Sequence, residues 1–242
     1  MATSLVFQAP VNARWSGSNA RYQQVAKMPE KNVELFSFKF SVYARIARIV
    51  LLEKGIAFET QEINPFAEDA PASYLDIHPF MRVPAIRHDD FTLYETSAIT
   101  TYLDEAFEGP SLQPETPAER ARMRQVMAII DSYGYWPLVR KVFSERVFSP
   151  AFGEETDKAI LSEGLEESAP VLAALEKLLS DKGYIAAASY SLADAHIIPM
   201  IDYFLMAPEG AVLFKNYPKL VRWWDRVKER QSTISTRPHL PT

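Results

Sequence analysis

The stretch ELFSFKFSVYARIARIVLLEKG, residues Glu34 to Gly55, changes periodicity once, and the change falls at Ser41. Before it, VELFSF is short, apolar and strand-like. From Val42 to Lys54 the apolar residues return at helical spacing, with Arg45, Arg48, Glu53 and Lys54 as the polar positions. Gly55 then reads as a C-terminal cap, where a left-handed backbone suits glycine. A strand that runs into a helix, with a hydroxyl at the joint, begins a βαβ unit.

The segments that follow complete the unit and extend it. IAFETQEIN alternates apolar and polar residues as a second, parallel strand, and DAPASYLDI reads as a short helix before the turn at His78-Pro79. VPAI, a turn at RHDD, and FTLY have hairpin spacing. TSAITTYLDEAF is helical, with Ala98, Ile99, Tyr102, Leu103 and Phe107 recurring on one face. The order β-α-β-α-β-β-α over residues 32–108 suits a small α/β sandwich with its own core.

A Pro-rich linker over 109–117 leads to an all-helical domain over 118–232, with helices expected at Pro117–Phe148, Thr156–Leu179, Ser191–Met206 and Pro218–Gln231. Residues 233–242 read as a C-terminal tail. Residues 1–31 carry Arg14, Arg21 and Lys27 with no acid before Glu30, and read as an extension outside the fold: a transit peptide, a tag, an upstream start before Met28 or a disordered tail. The join between the two domains is a natural place for a small-molecule cleft.

Composition narrows the function. The 242 residues are 48% hydrophobic, enough for a real core, and carry a net charge of -5 with no basic stripe, which argues against nucleic acid as a partner. No apolar run is long enough to span a membrane. The absence of cysteine excludes disulfides, thiolate metal sites and a cysteine nucleophile, and suits a cytoplasmic protein. His78, His88, His196 and His239 lack metal-ligand spacing, so no metal is expected.

Three further stretches bear on chemistry. In RVPAI, Val83-Pro84 is an X-Pro bond; in its cis form it would turn the Val83 N–H and C=O outward, where they could pair with an extended peptide, and in its trans form Pro84 merely opens an edge strand. In LYETSAI a helix begins with Thr96 or Ser97 as N-cap. Its free N–H groups suit a carboxylate, and Glu95 beside them suits an ammonium group; ordinary capping explains the same residues. In SLADAHIIPMIDYF, Ser191 and Asp194 have capping-box spacing, a folding signal, and His196 reads as a packed core residue.

Taken in order, FSVYARIARIVLLEKGIAFE, NPFAEDAPASYLDIHPFMRVPAI, LYETSAITTYL and SLADAHIIPMI resemble the soluble glutathione transferases over residues 33–232, as a serine-type, bacterial-like member of unassigned class. The resemblance implies a thioredoxin-like N-terminal domain that binds glutathione as substrate, an all-α domain that supplies most of the second-substrate pocket, a homodimer and a role in detoxification. It favours a cis Pro84. Val83 would pair with the cysteinyl part of glutathione, Glu95 and Thr96 would hold the γ-glutamyl group, and Arg82 would contribute at the rim.

By the same resemblance Ser41 falls where serine-type members carry the hydroxyl that meets the glutathione sulfur, with Tyr43 as the rival hydroxyl. The FKF before Ser41 departs from the Pro, Gly or Ser-rich turn of many relatives. The lack of cysteine there argues against the disulfide-exchanging classes. Tyr43, Tyr133, Trp136 and Arg140 are candidates for the second-substrate pocket, with Tyr135 beside them in DSYGYWPLVRKVF, although a buried helix face explains most of that stretch equally well; a hydrophobic electrophile is the expected partner. A catalytically weak glutathione-binding or protein-docking module, and a glutathione-dependent isomerase or dehalogenase, are the alternatives.

Overall fold

The computed structural model describes residues 33–67, 70–179 and 183–241; the extension expected over 1–31 lies outside them. Strand β1 (Val33–Ser37) leads to helix α1 (Val42–Lys54), β2 (Phe58–Glu62), a 3₁₀ turn at Ala72–Asp76, the strands β3 (Ala85–His88) and β4 (Phe91–Tyr94), and α2 (Thr96–Ala106). The sheet order is β2-β1-β3-β4. β1 and β2 pair in parallel with Val33 opposite Phe58, whereas β3 runs antiparallel to both β1 and β4. This is the α/β arrangement expected, with the second helix reduced to a 3₁₀ turn.

Helix α1 is the hub of the molecule. Ile46, Ala47, Ile49, Val50 and Leu51 are fully buried, and the helix packs against α2 on one side and against the helical lobe on the other. Its polar positions are therefore not a solvated face. Arg45 is fully buried, with its guanidinium 2.6 Å from Asp202 and donating to Thr236 Oγ1 at 3.2 Å and Thr233 O at 3.1 Å. Lys54 reaches Asp104 at 3.2 Å, and Glu53 accepts from Arg230 Nε at 2.8 Å. Burying charge on such a helix is costly without a partner, which Arg45, Glu53 and Lys54 have, whereas Arg48 keeps Nε and Nη2 buried without one.

The helical lobe comprises α3 (Pro117–Ile129), a wide-turned π segment (Ile130–Phe148), the single turn α4 (Ser149–Ala151), α5 (Lys158–Leu178), α6 (Leu192–Met206), α7 (Pro208–Phe214), α8 (Pro218–Val227) and α9 (Gln231–Ser235). The single helix expected over 117–148 thus changes its winding at Ile130. Pro137 lies inside the segment and has no N–H for an i→i−4 bond, and the Ser149 N–H reaches back five residues to Ser144 O. Thr233 and Thr236 are buried against Arg45, so the tail expected from 233 begins as part of the fold.

Helix α6 is buried at every position from Leu192 to Phe204, the mark of a central helix. Its capping box forms as expected. Buried Asp194 accepts from the Ser191 N–H at 2.9 Å, the Ile185 N–H at 3.1 Å and Trp223 Nε1 at 2.8 Å. His196 is fully buried with Nδ1 2.8 Å from Leu192 O, and burial pushes its pKa down to about 4. Among the described residues no single helix is long and apolar enough to cross a membrane.

These buried groups set the response of stability to mutation and to pH. Asp202→Ala leaves the Arg45 charge without its carboxylate and should cost about 3–5 kcal/mol in urea unfolding, whereas Arg45→Met with Asp202→Leu should recover most of that loss. An equal loss in the single and double variants would refute the pairing. His196 is neutral when folded and protonates more readily when unfolded, so its contribution is complete above about pH 6.5 and declines as pH falls towards 4. Unfolding at pH 5 should therefore need about 2 kcal/mol less than at pH 7 through this group, and His196→Gln should flatten the slope; an unchanged slope would contradict the assignment.

Candidate functional site

The N-terminus of α1 opens into a cleft of about 1240 Å³ between the sheet lobe and the helical lobe. Ser41 lines it as the N-cap of α1, with extended backbone (φ -73°, ψ 122°), and its Oγ accepts from the Ala44 N–H at 3.2 Å. That bond uses a lone pair and leaves the hydroxyl proton free to be donated. The preceding FKF turn is held at each residue. Phe38 O accepts from the Ser41 N–H at 2.9 Å, the Lys39 N–H donates to Glu62 Oε1 at 3.0 Å, and Phe40 O accepts from the Tyr203 hydroxyl at 3.3 Å.

Tyr43 lines the same cleft from the first turn of α1, its ring centroid 5.2 Å from that of Tyr135. Burial, reinforced by Asp131, Tyr135 and Glu95, pushes its phenol well above the ordinary range. It is a group that keeps its proton.

The sheet lobe supplies a polar wall. Val83-Pro84 is a cis peptide, and among the described residues the Val83 N–H and C=O make no backbone hydrogen bond. Arg82, Val83 and Pro84 all line the cleft, Arg82 exposed and Pro84 buried. Helix α2 begins one residue earlier than expected in the sense that Glu95, rather than Thr96 or Ser97, is its N-cap. Glu95 adopts φ 72°, ψ 117°, a left-handed backbone that costs a non-glycine residue about 1–3 kcal/mol. Strain of that size is commonly found where a site holds a side chain in place. Glu95 is exposed and Thr96 is buried, and both line the cleft.

The opposite wall comes from the π segment. Trp136 and Arg140 line it as expected, but Tyr133 does not; its side chain is 67% exposed outside the cleft. Tyr135, also named from that stretch, does line the cleft, and the winding of the segment turns Ser132, Val139 and Phe143 towards it as well. Asp131 is a site residue that sequence reasoning missed. Its Oδ1 is buried without a partner, and burial, with Glu95 adding to it, raises its pKa to about 6. A signal for it exists: Asp131, Tyr135, Val139 and Phe143 recur at intervals of four, a face that excludes Tyr133.

The far end is aromatic. Phe40 meets Phe148 edge-on at 5.3 Å and Phe152 at 5.7 Å, and Phe38 lies 5.5 Å from Phe40 and 6.3 Å from Phe66. The cleft thus has a polar end, with Glu95, Asp131 and the start of α2, and an aromatic end, with Ser41 lying at the mouth of α1. Among the described residues no group of three or more His, Asp or Glu is placed to hold a metal ion.

Comparison with known proteins agrees with this arrangement. The model of the glutathione S-transferase N-terminal domain matches residues 35–111 and that of the C-terminal domain matches residues 135–231. The chain is 31% identical over 202 residues to glutathione S-transferase F13 of Arabidopsis thaliana, covering 81% of this chain and 92% of that one. It is 32% identical to F10 of the same plant, covering 81% and 93%. Among solved structures, glutathione S-transferase I from maize ("mais") in complex with an atrazine glutathione conjugate superposes with a TM-score of 0.74 at 27% identity, covering 84% of this chain and 95% of that one. The two Arabidopsis relatives are plant proteins of the F series, so the bacterial-like character expected from the sequence is not borne out. With the sheet lobe, the cis Val83-Pro84 and both domain models in agreement, the chain belongs to the glutathione S-transferase family.

Proposed function

We propose that this protein binds glutathione in the polar end of the cleft, holds its thiol as the thiolate at Ser41, and directs it at a hydrophobic electrophile in the aromatic end. The observation that carries the reading is the Ser41 hydroxyl, which caps α1, lines the cleft and has a proton left to donate. A free thiol with pKa near 8.5 is only about 3% ionised at pH 7, and lowering that pKa by two units makes it roughly three-quarters thiolate. The shift needs roughly 2.7 kcal/mol. One hydroxyl bond to a charged sulfur together with a helix N-terminus is of that size. Ser41 acts by stabilising charge, not by removing the proton, which leaves to solvent.

The remaining glutathione contacts divide by chemistry. The Val83 N–H and C=O pair with the cysteinyl backbone, adding it to the sheet lobe like a short strand, with Arg82 at the rim. Thr96 and the first turn of α2 take the γ-glutamyl carboxylate. Glu95 takes the ammonium group, and the unpartnered, partly protonated Asp131 nearby supports a cation in that place, since two neighbouring carboxylates are relieved by one. The F-series relatives support assignment to their class. The homodimer belongs to the same proposal, supported by exposed Phe80 and Tyr133, as does a cytoplasmic location.

With glutathione and a generic aryl halide, Ser41→Ala should lower kcat/KM at least tenfold, and Tyr43→Phe should change it less than threefold. The reverse pattern would transfer the sulfur contact to Tyr43. Glutathione binding in calorimetry without turnover of any electrophile would leave a binding module in place of an enzyme.

A further inference from the structure

The π segment that lines the cleft carries an unpaired cation. Along the π segment, Lys141 is held by Glu163 and Glu167 at 3.1 and 2.9 Å, and Arg146 by Glu209 at 3.0 Å, all on sides turned to other helices. Arg140 lies just before these two on the sequence but lines the cleft, and among the described residues it makes no hydrogen bond, ion pair or ring contact. It shares its face with Trp136, one helical turn before it. Further along the same segment, Phe148 packs with Phe40 and Phe152, and all three line the same cleft with ring edges and faces, a surface shaped for a flat ring.

The two features point to one ligand. Apolar walls alone would take any hydrophobic molecule, but a guanidinium with no protein partner beside them rewards an anion of planar, two-oxygen geometry. The cleft's acids Glu95 and Asp131 stand at its polar end and are used there. Glu154 is the acid that follows Phe152, and Lys39, with Nζ 4.8 Å over the Phe40 ring, is a second cation on that side.

We propose that the electrophile is a flat aromatic molecule bearing a carboxylate, its ring held against the phenylalanine wall and its carboxylate paired with Arg140; this rests on the glutathione-transfer reading above. With an activated aryl chloride of this kind, the glutathione thiolate gives its electron pair to the ring carbon, a carbon–sulfur bond forms, and chloride leaves with the pair of the carbon–chlorine bond. No oxidant or reductant is required.

The test uses 4-chloro-3-nitrobenzoate and its methyl ester, together with the glutathione conjugate of each. In the native protein and in Arg140→Gln and Arg140→Lys, kcat/KM is measured for both chlorides, and the affinity of both conjugates is measured by calorimetry. Arg140→Gln should lower the ratio of acid to ester at least tenfold in both measurements, and Arg140→Lys should restore part of it. A ratio unchanged by Arg140→Gln, or a native protein that binds the ester conjugate as tightly as the acid, overturns the carboxylate site even where turnover is strong. Conjugates that discriminate through Arg140 while neither chloride is turned over uphold the site and overturn the transfer reading instead.

Discussion

The ion pair between Arg45 and Asp202 is the constraint on which the arrangement of this molecule rests. A guanidinium with no exposed surface cannot remain in the core without acceptors, and those it has come from α6, Thr233 and Thr236. The sheet lobe and the helical lobe are thereby joined through the first turn of α1. The same helix begins at Ser41, so fixing α1 against α6 fixes the hydroxyl at its mouth relative to the aromatic wall of the helical lobe. The Tyr203 hydroxyl, one residue from Asp202, then holds Phe40 O, and the FKF turn is tied to the same core.

This coupling explains why the turn before Ser41 is built from FKF rather than from small residues. A flexible turn there would leave the aromatic end of the cleft without one side. Phe40 closes it against Phe148 and Phe152, while Phe38 extends towards Phe66. The loss of conformational freedom in the turn is offset by half-buried ring contacts, each worth about 0.5 kcal/mol or more beyond its area. The hydroxyl-bearing joint and the aromatic wall are therefore parts of one packed corner.

Much of the fold is legible in the sequence because its signals are local. The strand-to-helix switch at Ser41, the hairpin between Ala85 and Tyr94, and the capping box at Ser191 each lie within a few residues, and each forms as expected. What escapes a sequence reading depends on distant partners. Arg45 reads only as a polar position of the helix until Asp202 and Thr236, 157 and 191 residues away, are brought beside it. The short helices α7 and α9 carry too few residues for a periodic pattern. Tyr133 reads as a pocket residue on aromatic content alone, whereas the winding from Ile130 turns Asp131 inward beside Tyr135. The phenylalanine wall joins Phe40 to Phe148, from opposite lobes, and no local pattern marks it.

The most direct measurement of the central claim is the ultraviolet titration of the glutathione thiolate bound to the native protein and to Ser41→Ala. The native complex should ionise with a pKa about two units below that of free glutathione, and Ser41→Ala should return most of that shift while still binding glutathione. A depressed pKa that persists unchanged in Ser41→Ala would show that another group holds the charge, and would contradict a thiolate-stabilising role for the hydroxyl at the mouth of α1.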